Sequence, residues 1–419
     1  MSDSRQNFAL CVSSVGYMTP TSNLATPVAA PRSELGPGTI CLLTVTAAVA
    51  TSTSYVLQPE LTTVAADVHS SVSVVTVASG AAILGYLLGL VLLVPLVDRW
   101  CANRLVAGQM TGLTASLVVA ALAPNPELLG LGMLFSGACA STGAQMSTLA
   151  GKHARPERRG ATVGTVTAGI SAGILLGRIA GGALADAVGW RAMVLIVAAA
   201  CAALAAAAFV SLPRTPVAAT DSYANVLRRL PRLVISHRRL RISAVSGALW
   251  FFAFSLIWVS VSVALALPPL DLSSTDIGLY SLAGMAGILA TRTAGTLADR
   301  HGSRKIILVG LALAMLCTVT MAFTLDTAPV LLATLALFDA GLFAAQVANQ
   351  TRVLSIDPDR PAQFNSAYMA VYFIGGSIGT ALGGAITTEL GWPTAAATAT
   401  AAIICAALIN RTYTTPARP

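Results

Sequence analysis

Three ionisable residues, Arg178, Arg292 and Asp339, stand inside long uncharged apolar runs of this 419-residue chain, and none has a charged neighbour beside it in sequence. A charge held in an apolar helix is costly, faces an interior cavity and marks a path for an ion or a solute. Proton uptake by a carboxyl depends on its solvation and on its distance from a cation, so a changing separation between Asp339 and an arginine would load or unload a proton. A permanent structural ion pair fits the same residues. Asp339 shares a helical face with Phe343, Gln346 and Gln350, and Trp250, Phe254 and Trp258 repeat at the same four-residue spacing in another run. Tyr55, Gln58, Gln145, Asn365, Tyr368 and Tyr372 lie in further apolar runs. Together they predict an aromatic cavity suited to an amphipathic organic solute. Taken singly, each aromatic also fits lipid contact or packing.

The elements that must carry these residues are read from composition. The chain is 55% hydrophobic and 10% charged, with a mean hydropathy of +0.76, whereas a soluble domain carries about a quarter charged residues. Apolar runs recur near 37–57, 72–96, 104–122, 127–150, 161–187, 191–212, 242–266, 276–298, 304–324, 328–351, 363–388 and 393–410. About twenty apolar residues span a bilayer core as a helix. The runs are continuous rather than alternating, which excludes a strand barrel. The expected fold is an all-α, polytopic membrane protein of twelve transmembrane helices.

Basic residues set orientation, because Lys and Arg are retained on the cytoplasmic side in short loops. With the amino terminus inside, all but Arg178, Arg191 and Arg292 of the 25 basic residues fall in predicted interior segments. The formal charge of +8 therefore reports topology rather than nucleic acid as a partner. Residues 1–36 are rich in Ser, Pro and Thr and read as a cytoplasmic tail, not a signal peptide. The stretch 213–241, with seven arginines, reads as a basic cytoplasmic linker between an amino-terminal bundle at 37–212 and a carboxy-terminal bundle at 242–412, with a short cytoplasmic tail at 413–419. The seven cysteines include no C-x-x-C pair, and the four histidines fall in loops without ligand spacing. No cofactor or metal is expected. No H-E-x-x-H, Ser/His/Asp set or phosphate loop is present, so an enzyme is not expected either.

The chain also repeats itself. At an offset of 202, Pro156, Arg158, Gly173, Gly177, Gly181, Gly182, Gly189 and Trp190 match Pro358, Arg360, Gly375, Gly379, Gly383, Gly384, Gly391 and Trp392. At an offset of 201, Leu96, Asp98 and Arg99 match Leu297, Asp299 and Arg300, and Arg104 matches Lys305. The fifth run thus corresponds to the eleventh and the second to the eighth, which predicts two pseudo-symmetric six-helix bundles.

After the eighth run the sequence reads Gly295-Thr-Leu297-Ala-Asp299-Arg300-His-Gly302-Ser-Arg304-Lys305. Here the chain resembles the major facilitator superfamily, whose loop signature is G-x-L-x-D-R-x-G-x-[KR]-[KR]. The copy after the second run keeps Leu96, Asp98, Arg99 and Arg104 but has Val94 and Cys101 in place of glycines. Gly164, Gly173, Gly177, Gly181 and Gly182 are similar to the G-x8-G-x3-G-P-x2-G-G pattern of the superfamily's antiporters, with Arg178 where that pattern has proline. Glycines four apart permit close helix approach.

The resemblance implies an alternating-access carrier of the twelve-span drug and metabolite efflux branch, a monomer, in which Asp98 and Asp299 latch an inner gate. A topogenic loop is the plainer reading of the same charges. Proton coupling is likewise implied rather than read. The fourth run has Met133 where efflux pumps carry an arginine before Gly137, and the first run has only Glu60, near its outer end. The expected activity is export of small organic molecules across the cytoplasmic membrane, driven by protons; import of a sugar or organic acid is the alternative.

Overall fold

The computed structural model describes residues 36–155, 158–212, 214, 223–357 and 360–413, excluding the side chains of 98, 223–229, 292, 299 and 362. Nearly all of the described chain is helix and none is strand. The first predicted run, 37–57, holds α1 (Pro37–Ser52), and a 3-10 turn at Gln58–Glu60 and α2 (Leu61–Asp67) follow beyond its end. Then come α3 (Val72–Leu92), α4 (Ala102–Ala121), the pair α5 (Pro126–Ala140) and α6 (Thr142–His153), α7 (Arg159–Val188) and α8 (Trp190–Ser211). After α9 (Tyr223–Ser236) come α10 (Arg238–Ala266), α11 (Ser274–Leu279), a 3-10 turn at Tyr280–Gly284 and α12 (Met285–His301). The chain closes with α13 (Ser303–Met321), α14 (Ala328–Leu354), α15 (Pro361–Leu390) and α16 (Trp392–Arg411).

Nine of these helices, among the described residues, are long and apolar enough to cross a membrane: α3, α4, α7, α8, α10, α13, α14, α15 and α16. Each corresponds to one predicted run. The other three runs are interrupted, and the reason is local chemistry. Ser52 and Thr53 turn their hydroxyls onto the carbonyls of Val49 and Ala50, which competes with the helical ladder, and Pro59 lacks an amide donor. Ser141 and Thr142 do the same to Ala138 and Cys139 where α5 gives way to α6. The third break falls at the 3-10 turn before Met285.

One element was not expected. The linker at 213–241 contains α9, whose Leu230 and Leu233 are buried against the core of the carboxyl half. Their three-residue spacing gives the helix an apolar face despite its arginines and Pro231.

The internal repeat reappears as packing. α7 lies against α1, with Gly173, Gly177 and Gly181 facing the carbonyls of Ala48, Ser52 and Val56. α15 lies against α10 in the same way, with Gly375 and Gly379 facing the carbonyls of Ala248 and Phe252 and Gly383 facing the side chain of Val259. The next glycine in each helix meets the opposite half: Gly182 faces the Ser274 carbonyl of α11, and Gly384 faces the Thr76 side chain of α3. Gly164 meets nothing and is not a packing position. The turns after α7 and α15 are copies too. Gly189 and Gly391 both have φ +83°, a region closed to most L side chains. The tryptophan that follows each one anchors it, Trp190 donating to Asp67 at 3.1 Å and Trp392 to the Met321 carbonyl at 2.8 Å.

The two halves meet along α3 and α15 and along α7 and α11. Ser377 donates to the Gly80 carbonyl at 3.1 Å, Ser73 pairs with Thr388 at 3.3 Å, and Thr275 donates both its amide and its hydroxyl to Asp186 at 2.7 and 2.5 Å. These contacts lie toward the end of the molecule away from the basic loops.

Candidate functional site

A cavity of about 140 Å³ sits where α1, α3, α7, α10, α14 and α15 converge, so both halves contribute to its wall. Its lining is Thr51, Ser54, Tyr55, Ile83, Tyr86, Ile170, Ile174, Trp250, Phe251, Phe254, Phe343, Tyr372 and Phe373. The aromatic side is one connected set. Phe251 stacks on Tyr372 with ring centroids 4.1 Å apart, Trp250 meets Tyr372 at 5.0 Å, and Phe254 meets Phe343 edge-on at 5.8 Å. Tyr86 reaches Phe373 across the two halves at 5.0 Å. Such rings offer large apolar contact to a flat solute. The hydroxyls of Thr51 and Ser54 are buried without a partner among the described residues, which leaves polar points in an otherwise apolar wall.

Beneath the wall lies the charged layer. Arg178 and Asp339, 2% and 1% exposed, form no ion pair with each other; Trp258 stands between them. Its indole N–H donates to Asp339 Oδ1 at 3.1 Å, and its ring face carries the Arg178 guanidinium at 4.3 Å. Arg178 also stacks on Tyr55 at 5.0 Å and donates from Nε to Gln58 Oε1 at 2.6 Å, while its Nη2 has no partner among the described residues. A cation on an aromatic face contributes ~0.5–2 kcal/mol, more when desolvated. Room for Asp339 comes from Gly284 and Gly287, where a Cβ would lie 3.2 and 3.3 Å from its side chain.

The predicted residues divide accordingly. Tyr55, Trp250, Phe254, Tyr372 and Phe343 line the cavity, and Gln58, Trp258, Arg178 and Asp339 form the layer behind it. Five others serve elsewhere: Gln145, Gln346, Gln350, Asn365 and Tyr368. Gln145 donates to the Leu93 carbonyl at 3.0 Å; Gln346 accepts from Tyr368 at 2.6 Å; Gln350 donates to Asn365 at 3.1 Å. None of these residues lines the cavity, and Gln145 Oε1 is buried without a partner among the described residues. Glu60, set aside in the sequence for its position, is 2% exposed with Oε1 unpartnered among the described residues. Phe251, Tyr86 and Phe373 were missed. Phe251 was legible, since it stands three residues before Phe254 and seven before Trp258; Tyr86 and Phe373 had no companion at helical spacing.

Of the loop-signature residues, Arg104, Arg300, Arg304 and Lys305 are exposed, Gly302 has φ +84° between α12 and α13, and Gly295 lies inside α12. Arg304 donates to the Arg411 carbonyl at 2.9 Å. The side chains of Asp98, Arg292 and Asp299 lie outside the described part of the structure.

A helical bundle that crosses the membrane many times and encloses a small aromatic cavity between its halves defines a solute carrier, not an enzyme. The chain belongs to the Major Facilitator Superfamily, whose family profile matches residues 40–380. The transporter YgaY of Escherichia coli O157:H7 is 32% identical over 86% of this chain and 92% of its own length. A multidrug resistance protein B homolog of Mycobacterium tuberculosis is 26% identical, over 71% of this chain and 67% of its own. Among solved structures, a bacterial homolog of the human lysosomal transporter Spinster, inward-facing and occupied, superposes with a TM-score of 0.73 over 90% of this chain and 98% of that one; at 14% identity the likeness is one of fold.

Proposed function

We propose that the protein exports small amphipathic organic molecules, drugs or metabolites, across the bacterial cytoplasmic membrane in exchange for protons, with both termini in the cytoplasm. The observation that carries this reading is the position of Asp339, a buried carboxylate joined to the wall of an aromatic cavity by a single indole. When Asp339 is ionised, Trp258 donates to it and Arg178 lies within its field. A proton on Asp339 weakens both attractions. Trp258 is then released, and its ring neighbours Phe254 of the cavity wall at 6.4 Å. Proton state and cavity shape are thereby linked through one side chain. The flat apolar wall, with Thr51 and Ser54 as its polar points, suits an aromatic solute bearing a few hydrogen-bonding groups.

Direction rests on the glycine face of α7 and on likeness to a protein named for multidrug resistance. The two halves, 37–212 and 242–412, would act as bundles that rock about the cavity, with Asp98 and Asp299 latching the basic end. The deciding experiment is a growth-inhibition panel with and without expression, followed by efflux of each hit with and without an uncoupler. Protection that an uncoupler removes is expected. Faster accumulation on expression would assign import instead, and efflux indifferent to the uncoupler would remove the proton.

A further inference from the structure

Another recess lies at the basic end, and its described lining comes from the carboxyl half alone. It encloses about 710 Å³ between the start of α10, the α12–α13 turn and the ends of α14 and α16. Arg239, Arg304, Lys305, Arg352 and Arg411 line it together with His301, and no carboxylate is among its described lining.

Four of these arginines and lysines are exposed, as expected of interfacial cations, but Arg352 is not: it is 5% exposed. Its Nη2 donates to Asn349 Oδ1 at 2.6 Å and to Asn410 Oδ1 at 2.8 Å, and the Tyr413 ring covers its Cζ at 4.0 Å. Those acceptors are neutral. They are also fixed in place, since Asn349 donates to the Ser243 carbonyl at 2.9 Å and Asn410 donates to the Ala406 carbonyl at 2.9 Å and to the Ser246 hydroxyl. Nε and Nη1 of Arg352 have no partner among the described residues. A buried guanidinium with two idle donors and only neutral partners is an incomplete arrangement, because a desolvated cation needs a counter-charge. The fork of an arginine matches phosphate geometry, and α13 begins at Ser303 on the same rim, where a helix amino terminus favours negative charge.

We propose that this recess binds a phosphate group, with Arg352 as its floor and Arg304, Lys305 and Arg411 as its rim. The group belongs either to an anionic lipid headgroup in the adjoining leaflet or to a soluble phosphate. The test is the thermal unfolding of the purified full chain in neutral detergent, titrated with dioctanoyl phosphatidylglycerol and separately with inorganic phosphate. Dioctanoylglycerol and sodium chloride at matched ionic strength are the controls. An unfolding midpoint that rises with the lipid but not with phosphate assigns a headgroup site; a rise with phosphate assigns a soluble anion; either supports the proposal when the controls are silent. Arg352→Gln is expected to weaken the binding at least tenfold and Lys305→Gln severalfold. A midpoint that responds to neither probe overturns the proposal. So does unchanged affinity in R352Q or, should that variant not fold, in both K305Q and R411Q.

Discussion

Trp258 occupies the space in which Arg178 and Asp339 would otherwise pair, and that placement makes it the residue to change. Trp258→Phe keeps the ring under Arg178 and removes the N–H that Asp339 accepts. A hydrogen bond to a charged group contributes ~1.5–3 kcal/mol, so under the proposed coupling transport should fall about tenfold or more while the amount of protein in the membrane stays near wild type. Asp339→Asn should go further and leave any residual flux insensitive to a pH gradient, measured in vesicles with the gradient collapsed. A mutant that still responds to the gradient would place the coupling proton elsewhere, with the buried Glu60 the next residue to test. Arg178, Asp339 and the Trp250–Phe254–Trp258 stripe were legible because a charge in an apolar run and a ring every fourth residue are visible in one dimension. Their partners were not. Nothing in sequence places Gln58 against Arg178, or pairs Gln145, Gln346 and Gln350 with Leu93, Tyr368 and Asn365, since those contacts are made between different elements.

Among the elements, α7 shows most plainly how spacing becomes packing. Gly173→Ala would drive a methyl into the Ala48 carbonyl of α1, whereas Gly164→Ala meets open space. Overpacking of this kind costs ~1–3 kcal/mol. G173A should therefore lower the unfolding midpoint and the transport rate, and G164A should leave both unchanged; equal behaviour of the two would remove the argument from close approach. Of the twelve helices that the apolar runs announced, nine are continuous among the described residues, and for those length and composition suffice. The interruptions at Ser52–Glu60, Ser141 and Tyr280–Gly284 were hidden, because hydroxyl residues and glycines such as those found there are also common in unbroken membrane helices. α9 was hidden for the opposite reason, its arginines and Pro231 outweighing the spacing of Leu230 and Leu233.

At the scale of the whole molecule, the described hydrogen bonds between the halves hold one end together. Replacing Ser73 and Thr388, whose hydroxyls are 3.3 Å apart, by a cysteine pair should yield a disulfide that stops transport and a reductant that restores it. Undiminished flux in the oxidised form would show that this end need not part. At the other end, Asp299→Asn is expected to reduce flux without affecting insertion, as a latch requires and a topogenic charge does not.

The contacts at Gly182 and Gly384 set the cost of that parting. Backbone and small side chains meet there with few charges, Asp186 being the ionised group among the bonds that cross. Each neutral hydrogen bond contributes only ~0.5–1.5 kcal/mol net, because water replaces it when the halves separate. Such a seam holds one conformation as the majority without excluding its alternative. A solute or a proton with a differential affinity of a few kcal/mol is enough to invert the populations, and the energy of each turnover can then go into moving cargo rather than into breaking the protein open.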